Sequence, residues 1–162
     1  ILERLDSHYR EQGIRSEPCQ AVLALGSDDL VDIERRIRAL DTFAGSPSAT
    51  SLLASAQRIR NILKKNGDRN EAVAADRLLE PAEQALWQNW QPLAPAIDAE
   101  LQKSDYRAAL EQLATLGAPL DAFFTDVMVM SDDPGLQQNR LALLTTLQRG
   151  FDQIADLSLL SE

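Results

Sequence analysis

The sequence predicts an all-α protein, a bundle of helices joined by short loops, and three observations carry that prediction. Apolar residues recur three and four apart through most of the 162 residues, the spacing that gives a helix one apolar face. Val, Ile, Thr and aromatic residues do not alternate with polar ones over any useful length, apart from the short run Val127-Met128-Val129-Met130, so strands are not expected. Most glycines, and serines and aspartates beside them, fall between the periodic stretches, where helix caps and turns need them.

The first helix is predicted over about Ile1–Gln12 and stops at Gly13, a favoured residue just past a helix end. Ser16 caps a short helix through Leu25, with Pro18 in its first turn and Gly26 closing it. Ser27 caps a third helix, Asp28–Ala44, whose acidic first turn (Asp28, Asp29) suits the helix dipole. Gly45-Ser46-Pro47-Ser48 is the best domain-boundary candidate. It separates residues 1–45, read as the end of a preceding domain or a segment packed on the bundle, from residues 46–162. A helix follows over Ala49–Lys65, with Gly67 beyond its end, then an irregular stretch with one helical turn near Asp76–Leu79. Ala82–Lys103 reads as one helix disturbed at Pro92 and Pro95, because an interior proline removes a backbone bond and clashes with the preceding turn. Ser104 or Asp105 caps Tyr106–Leu116, and Pro119 opens a segment through Met130. Asp132-Asp133-Pro134 starts the last helix, Gly135–Leu157, since Asp caps exposed amides and proline fits the first turn. Leu141, Leu144, Leu147, Phe151 and Ile154 form its apolar side, opposite Thr145, Arg149, Asp152 and Asp156.

Composition excludes several classes of function. No run approaches 18 consecutive apolar residues, so no membrane span is expected. The chain starts Ile1-Leu2-Glu3 without a signal-peptide core and reads as a piece of a longer protein. One cysteine, Cys19, rules out an internal disulfide and a multi-cysteine metal site, and one histidine, His8, argues against a zinc centre or a Cys–His nucleophile pair. Both read as ordinary helix residues. The compartment expected is the cytoplasm. No phosphate-binding glycine loop, GxSxG or HExxH pattern is present, so no catalytic residue and no metal ligand is assigned. Trp87 and Trp90, three apart, read as core or partner contacts.

The formal net charge of −9 argues against nucleic acid as a whole, DNA included, yet the charge is unevenly placed. From Arg35 to Arg69 eight cations face only Asp41 and Asp68, an excess of +6, whereas Asn70–Pro134 carries twelve acids against Arg77, Lys103 and Arg107, or −9. Inside the basic segment, Leu52, Ala56, Ile59 and Leu63 make one apolar stripe. Arg58, Asn61 and Lys65 line one flank, and Arg60 and Lys64 the other. A row of Arg, Asn and Lys suits phosphates and the edges of unstacked bases. Equally, long cationic chains often border a buried stripe with their heads in water, and spacing alone does not separate the two.

The runs QRIRNILKK (Gln57–Lys65), FFTDVMVMSDDPGLQQNRLALL (Phe123–Leu144) and FDQIADLSLL (Phe151–Leu160) resemble the C-terminal region of bacterial glycyl-tRNA synthetase β subunits. They are similar, more distantly, to the helical anticodon-binding domain of arginyl-tRNA synthetases. Upstream, REQGI (Arg10–Ile14) and QAVLALGSDDLVDIERRIRAL (Gln20–Leu40) resemble the stretch before that domain. The resemblance implies an all-α bundle of the anticodon-binding-domain type over 46–162, belonging to a cytoplasmic two-subunit ligase of protein biosynthesis. It implies a catalytic α subunit as partner, where glycine and ATP bind, no cofactor in this segment, and glycine-acceptor tRNA as the ligand. An alternative from another class is a helical protein-interaction module for subunit assembly, docking through the acidic half and the tryptophans.

Glycine anticodons end in two cytosines, and reading them needs acceptors for the amino group and donors for the ring carbonyl and nitrogen. The resemblance implies Asn61 for both tasks, and Arg58 and Lys65 toward bases or loop phosphates, with Arg58 first because it aligns with an arginine of the arginyl family. Lys64 and Arg69 are expected at phosphates. Asn139 and Arg140 also match the family pattern, with RNA contact and a structural role left open. Gln57, Gln137 and Gln138 replace cations frequent in the family, which thins the positive surface and predicts weak, salt-sensitive binding. Phe123, Phe124, Leu141 and Leu144 are expected as a buried platform, with Phe124→Ala costing mainly stability, about 3–5 kcal/mol.

Overall fold

A computed structural model describes residues 2–14, 16–26 and 29–160. Among them the chain forms eight α-helices and no strand: α1 (Leu2–Glu11), α2 (Ser16–Leu23), α3 (Leu30–Ala44), α4 (Ala49–Asn66), α5 (Pro81–Gln102), α6 (Tyr106–Ala114), α7 (Gly117–Asp126) and α8 (Pro134–Asp152). Single 3-10 turns lie at Ala75–Arg77 and Leu157–Leu159. The proposed cap Ser27 and first-turn Asp28 lie outside the described residues, as does Ile1. Asp29 caps α3 instead, its carboxylate accepting from the N–H groups of Val31 and Asp32. Asp105 caps α6 and Asp133 caps α8 in the same way, so three helix starts rest on the short carboxylate that local sequence supplies.

Packing settles three segments that local sequence defines loosely. α5 is continuous through Pro92 and Pro95, its Leu86, Trp90 and Ile97 buried on both sides of the prolines and packed on α6, α7 and α8. α7 starts before Pro119 and ends at Asp126, after which Val127 is extended. α8 stops at Asp152 rather than Leu157, where the backbone groups that follow find tertiary partners. Arg36 donates to Gln153 O and Ile154 O, and the Asp156 N–H donates to Ala21 O at 3.0 Å. The apolar side of α8 is buried as expected, but so are Asn139, Arg140, Thr145 and Gln148. α8 is the central element and has little solvent face.

α2 and α3 share the hydrophobic core with the rest of the chain. α3 packs on α6, and α2 on the closing 3-10 turn. A polar knot fixes this arrangement: the Tyr106 hydroxyl donates to Asp32, Arg36 pairs with Asp32 at 2.7 Å, and the Arg36 guanidinium sits 4.4 Å above the Tyr106 ring. Burial alone would raise the Asp32 pKa, but the hydrogen bonds from Tyr106 and Arg36 outweigh it and hold the carboxyl below its ordinary value. A depressed carboxylate contributes stability above its unfolded pKa and loses it as pH falls through the folded one. Asp152 works the other way. Burial pushes its pKa up against the pull of Arg60, so its contribution is present at low pH and lost as pH rises. Asp32→Asn is therefore expected to lose less stability than the parent on acidification from about pH 5 to about pH 3, read as the shift in urea midpoint. An equal loss in both proteins would remove Asp32 from the account.

Candidate nucleic-acid interface

α4 positions the candidate site. Leu52, Ala56, Ile59 and Leu63 bury its inner stripe, which leaves the flank carrying Arg58, Asn61 and Lys65 in solvent. The helix ends at Gly67, whose φ of +84° lets its N–H close on Leu63 O at 2.7 Å. Along the exposed flank runs an open groove of about 570 Å³, lined by Arg58, Asn61, Ile62, Lys65, Asn66 and Met130 among others. Its volume falls in the range of ligand clefts, roughly 300–1,000 Å³.

The basic excess of Arg35–Arg69 divides sharply once partners are assigned. Arg36 and Arg38 pair with Asp32 and Glu34 on their own helix. Arg60, on the far flank of α4, clasps the end of α8 through Asp152 at 2.8 Å and Asp156 at 3.2 Å. Arg69 turns its Nη1 back onto Asn66 O (3.0 Å) and Gly67 O (3.1 Å), and its N–H donates to Thr145 Oγ1; it seals the carbonyl end of α4. Arg58, Lys64 and Lys65 are exposed and form no ion pair among the described residues. Of these, Arg58 and Lys65 share the groove with Asn61, while Lys64 lies outside its lining.

Two candidate contacts are corrected. Asn139 is buried, its Oδ1 accepting from Ala74 N–H at 2.8 Å and its Nδ2 donating to Ala74 O at 3.0 Å; it pins the irregular loop between α4 and α5. Arg140, 5% exposed, gives Nε and Nη2 to Glu83 Oε2 at 3.0 and 2.7 Å and Nη1 to Met128 O at 2.7 Å. Both lie on the enclosed part of α8 and have their polar groups satisfied internally, so neither presents a donor to a ligand. The platform is also corrected. Phe123 is fully buried, but Phe124 is only half-buried, and the Arg58 guanidinium carbon lies 4.5 Å over its ring centroid. Phe124 therefore belongs to the site as much as to the core.

Met130 was missed as a groove residue. The period-2 pattern of Val127–Met130 is the signal that locates it: Val127 and Val129 are buried, while Met128 and Met130 are 68% and 42% exposed. Trp90 is core, against Gly150 of α8; Trp87 is half-buried. Among the described residues no group of His, Cys, Asp and Glu is placed to hold a metal ion, and no helix is long and apolar enough to cross a membrane.

Comparison with known proteins bears on the same region. The family pattern described as DALR anticodon binding domain matches residues 52–158, from the buried stripe of α4 to the closing 3-10 turn. A protein named glycine–tRNA ligase beta subunit from Dichelobacter nodosus (strain VCS1703A) is 56% identical over 161 residues, which is 99% of this chain and 23% of that protein. Proteins of the same name from Methylobacillus flagellatus and Acinetobacter baumannii (strain AYE) are 43% and 41% identical over 162 and 157 residues, again 23% of their length. The chain thus spans under a quarter of the relatives it matches.

Proposed function

Since the chain belongs to the DALR anticodon binding domain family, we propose that its α4 groove binds the anticodon loop of glycine tRNA, as the RNA-recognising part of a glycine–tRNA ligase β subunit. The observation that supports this reading most directly is the sorting of the cations. Arg36, Arg38, Arg60 and Arg69 are committed within the fold, while Arg58 and Lys65 remain available on one exposed flank, with Asn61 between them. Asn61 carries both a donor and an acceptor and suits the edge of a cytosine, and Arg58 and Lys65 suit bases or phosphates. Lys64, exposed on the neighbouring flank, is a phosphate contact in this reading. Glycine activation with ATP then takes place on a partner α subunit in the cytoplasm, with this chain supplying recognition.

Arg58→Ala is expected to weaken glycine-tRNA binding by about 1–3 kcal/mol, and Lys65→Ala to lower the slope of log affinity against log salt by about one. Arg38→Ala, which breaks an exposed α3 pair with Glu34, is expected to leave affinity unchanged. Binding measured by fluorescence anisotropy over a salt series, with circular dichroism to verify folding, checks all three. Unchanged affinity in folded Arg58→Ala and Lys65→Ala would remove the groove from the function.

A further inference from the structure

One part of the groove is built more specifically than a phosphate-binding flank requires. Arg58 lies over the Phe124 ring, 4.5 Å from its centroid. Phe124 is braced edge-on by the fully buried Phe123, with centroids 5.3 Å apart and planes at 74°. The ring thus lies against the guanidinium of an otherwise exposed side chain. A guanidinium seeking only phosphate gains nothing from such a plate, whereas one that stacks on a base does, because its plane must be held parallel to the base.

The lining of the same groove adds two larger apolar side chains, Ile62 and Met130, of which Ile62 also packs against the core. Ile62 is half-buried beside Asn61, and Met130 is exposed in the turn after α7, next to the buried Val127 and Val129. The Arg140–Met128 O bond at 2.7 Å ties that segment to the buried Glu83 pair, so Met130 is presented from a fixed backbone. A thioether packs well on aromatic faces, which includes the face of a base.

We infer that the groove is a slot for one unstacked base of the anticodon loop, with Arg58 as its stacking plate, Phe124 as the residue that positions Arg58, and Met130 as a second apolar wall. This rests on the anticodon reading above. The experiment uses an anticodon stem-loop of glycine tRNA, intact and with each loop base removed in turn, titrated against the parent chain, Phe124→Leu, Phe124→Tyr and Met130→Ala. Phe124→Leu and Met130→Ala are expected to weaken the intact stem-loop by about 5-fold or more, within the range for loss of one stacked base. Phe124→Tyr, which keeps the ring, is expected to bind like the parent. Both losses are expected to vanish for the same single abasic RNA, since the interaction is already absent there. Losses that persist with every abasic RNA, or no loss in either variant, overturn the slot. If Phe124→Leu fails to fold, the exposed Met130→Ala carries the test alone. Failure of the anticodon reading is distinct: Arg58→Ala and Lys65→Ala would then bind the intact stem-loop as the parent does.

Discussion

Arg140→Ala is expected to destabilise the protein by about 3–5 kcal/mol, the cost of stranding a buried charge. Glu83 is fully buried, and its Oε2 takes both the Nε and Nη2 bonds of Arg140. Its Oε1 has no hydrogen-bond partner, so Arg140 is the counterion on which the carboxylate depends. Glu83 also closes the start of α5, accepting from the Glu80 N–H at 3.4 Å. Three consequences therefore follow from one deletion: an uncompensated carboxylate, a loosened α5 N-terminus, and a Met128 carbonyl without its Arg140 donor. The pair itself need not be strongly stabilising, because two charges had to leave water to form it. Arg140→Met with Glu83→Met is accordingly expected to be less destabilised than Arg140→Ala alone. Urea denaturation of the three proteins tests this, and a single-variant loss below about 1 kcal/mol contradicts it.

The second large effect is at Gly150, and it is steric. A Cβ there would lie 2.3 Å from Trp90 Cη2 and 2.8 Å from Cζ2, well inside van der Waals contact. Trp90 is buried, and its rigid indole offers no flexible end to move aside. Overpacking of this kind costs about 1–3 kcal/mol, with larger losses where the neighbour cannot yield. For a chain of this length each kcal/mol corresponds to about 2–4 °C in Tm. Gly150→Ala is expected to melt lower by that scale, and Trp90→Phe in the same chain to recover part of the loss by vacating the clash. A Gly150→Ala protein that melts with the parent would mean that α5 and α8 separate freely there.

The helices were legible where local chemistry decides. Apolar spacing located α4, α5 and α8, and the carboxylates of Asp105 and Asp133 marked where α6 and α8 begin. One helix across Pro92 and Pro95 was legible, but what offsets the prolines was not. Each proline carries a local cost of about 3 kcal/mol, while the compensating burial of Leu86, Trp90 and Ile97 belongs to neighbours distant in the chain. The site divides in the same way. Helical spacing alone places Arg58, Asn61 and Lys65 on one flank, and that flank is exposed. Asn139 and Arg140 stay open between RNA contact and a structural role in the sequence, because residue type and family pattern carry no information about burial, and α8 is enclosed on nearly every side. Arg69 takes the capping role open to a cation just past a helix end, which spacing alone does not separate from a phosphate contact.

The most direct measurement is a pair of titrations of this chain. One uses glycine tRNA, and the other the same tRNA with each of the last two anticodon cytosines exchanged for another base. Each well-formed base-edge contact is worth about 1–3 kcal/mol of discrimination, so the exchanged tRNA is expected to bind at least about 10-fold more weakly, with most of that difference lost in Arg58→Ala and Asn61→Ala. Equal affinity for the two tRNAs would contradict anticodon reading by the α4 groove.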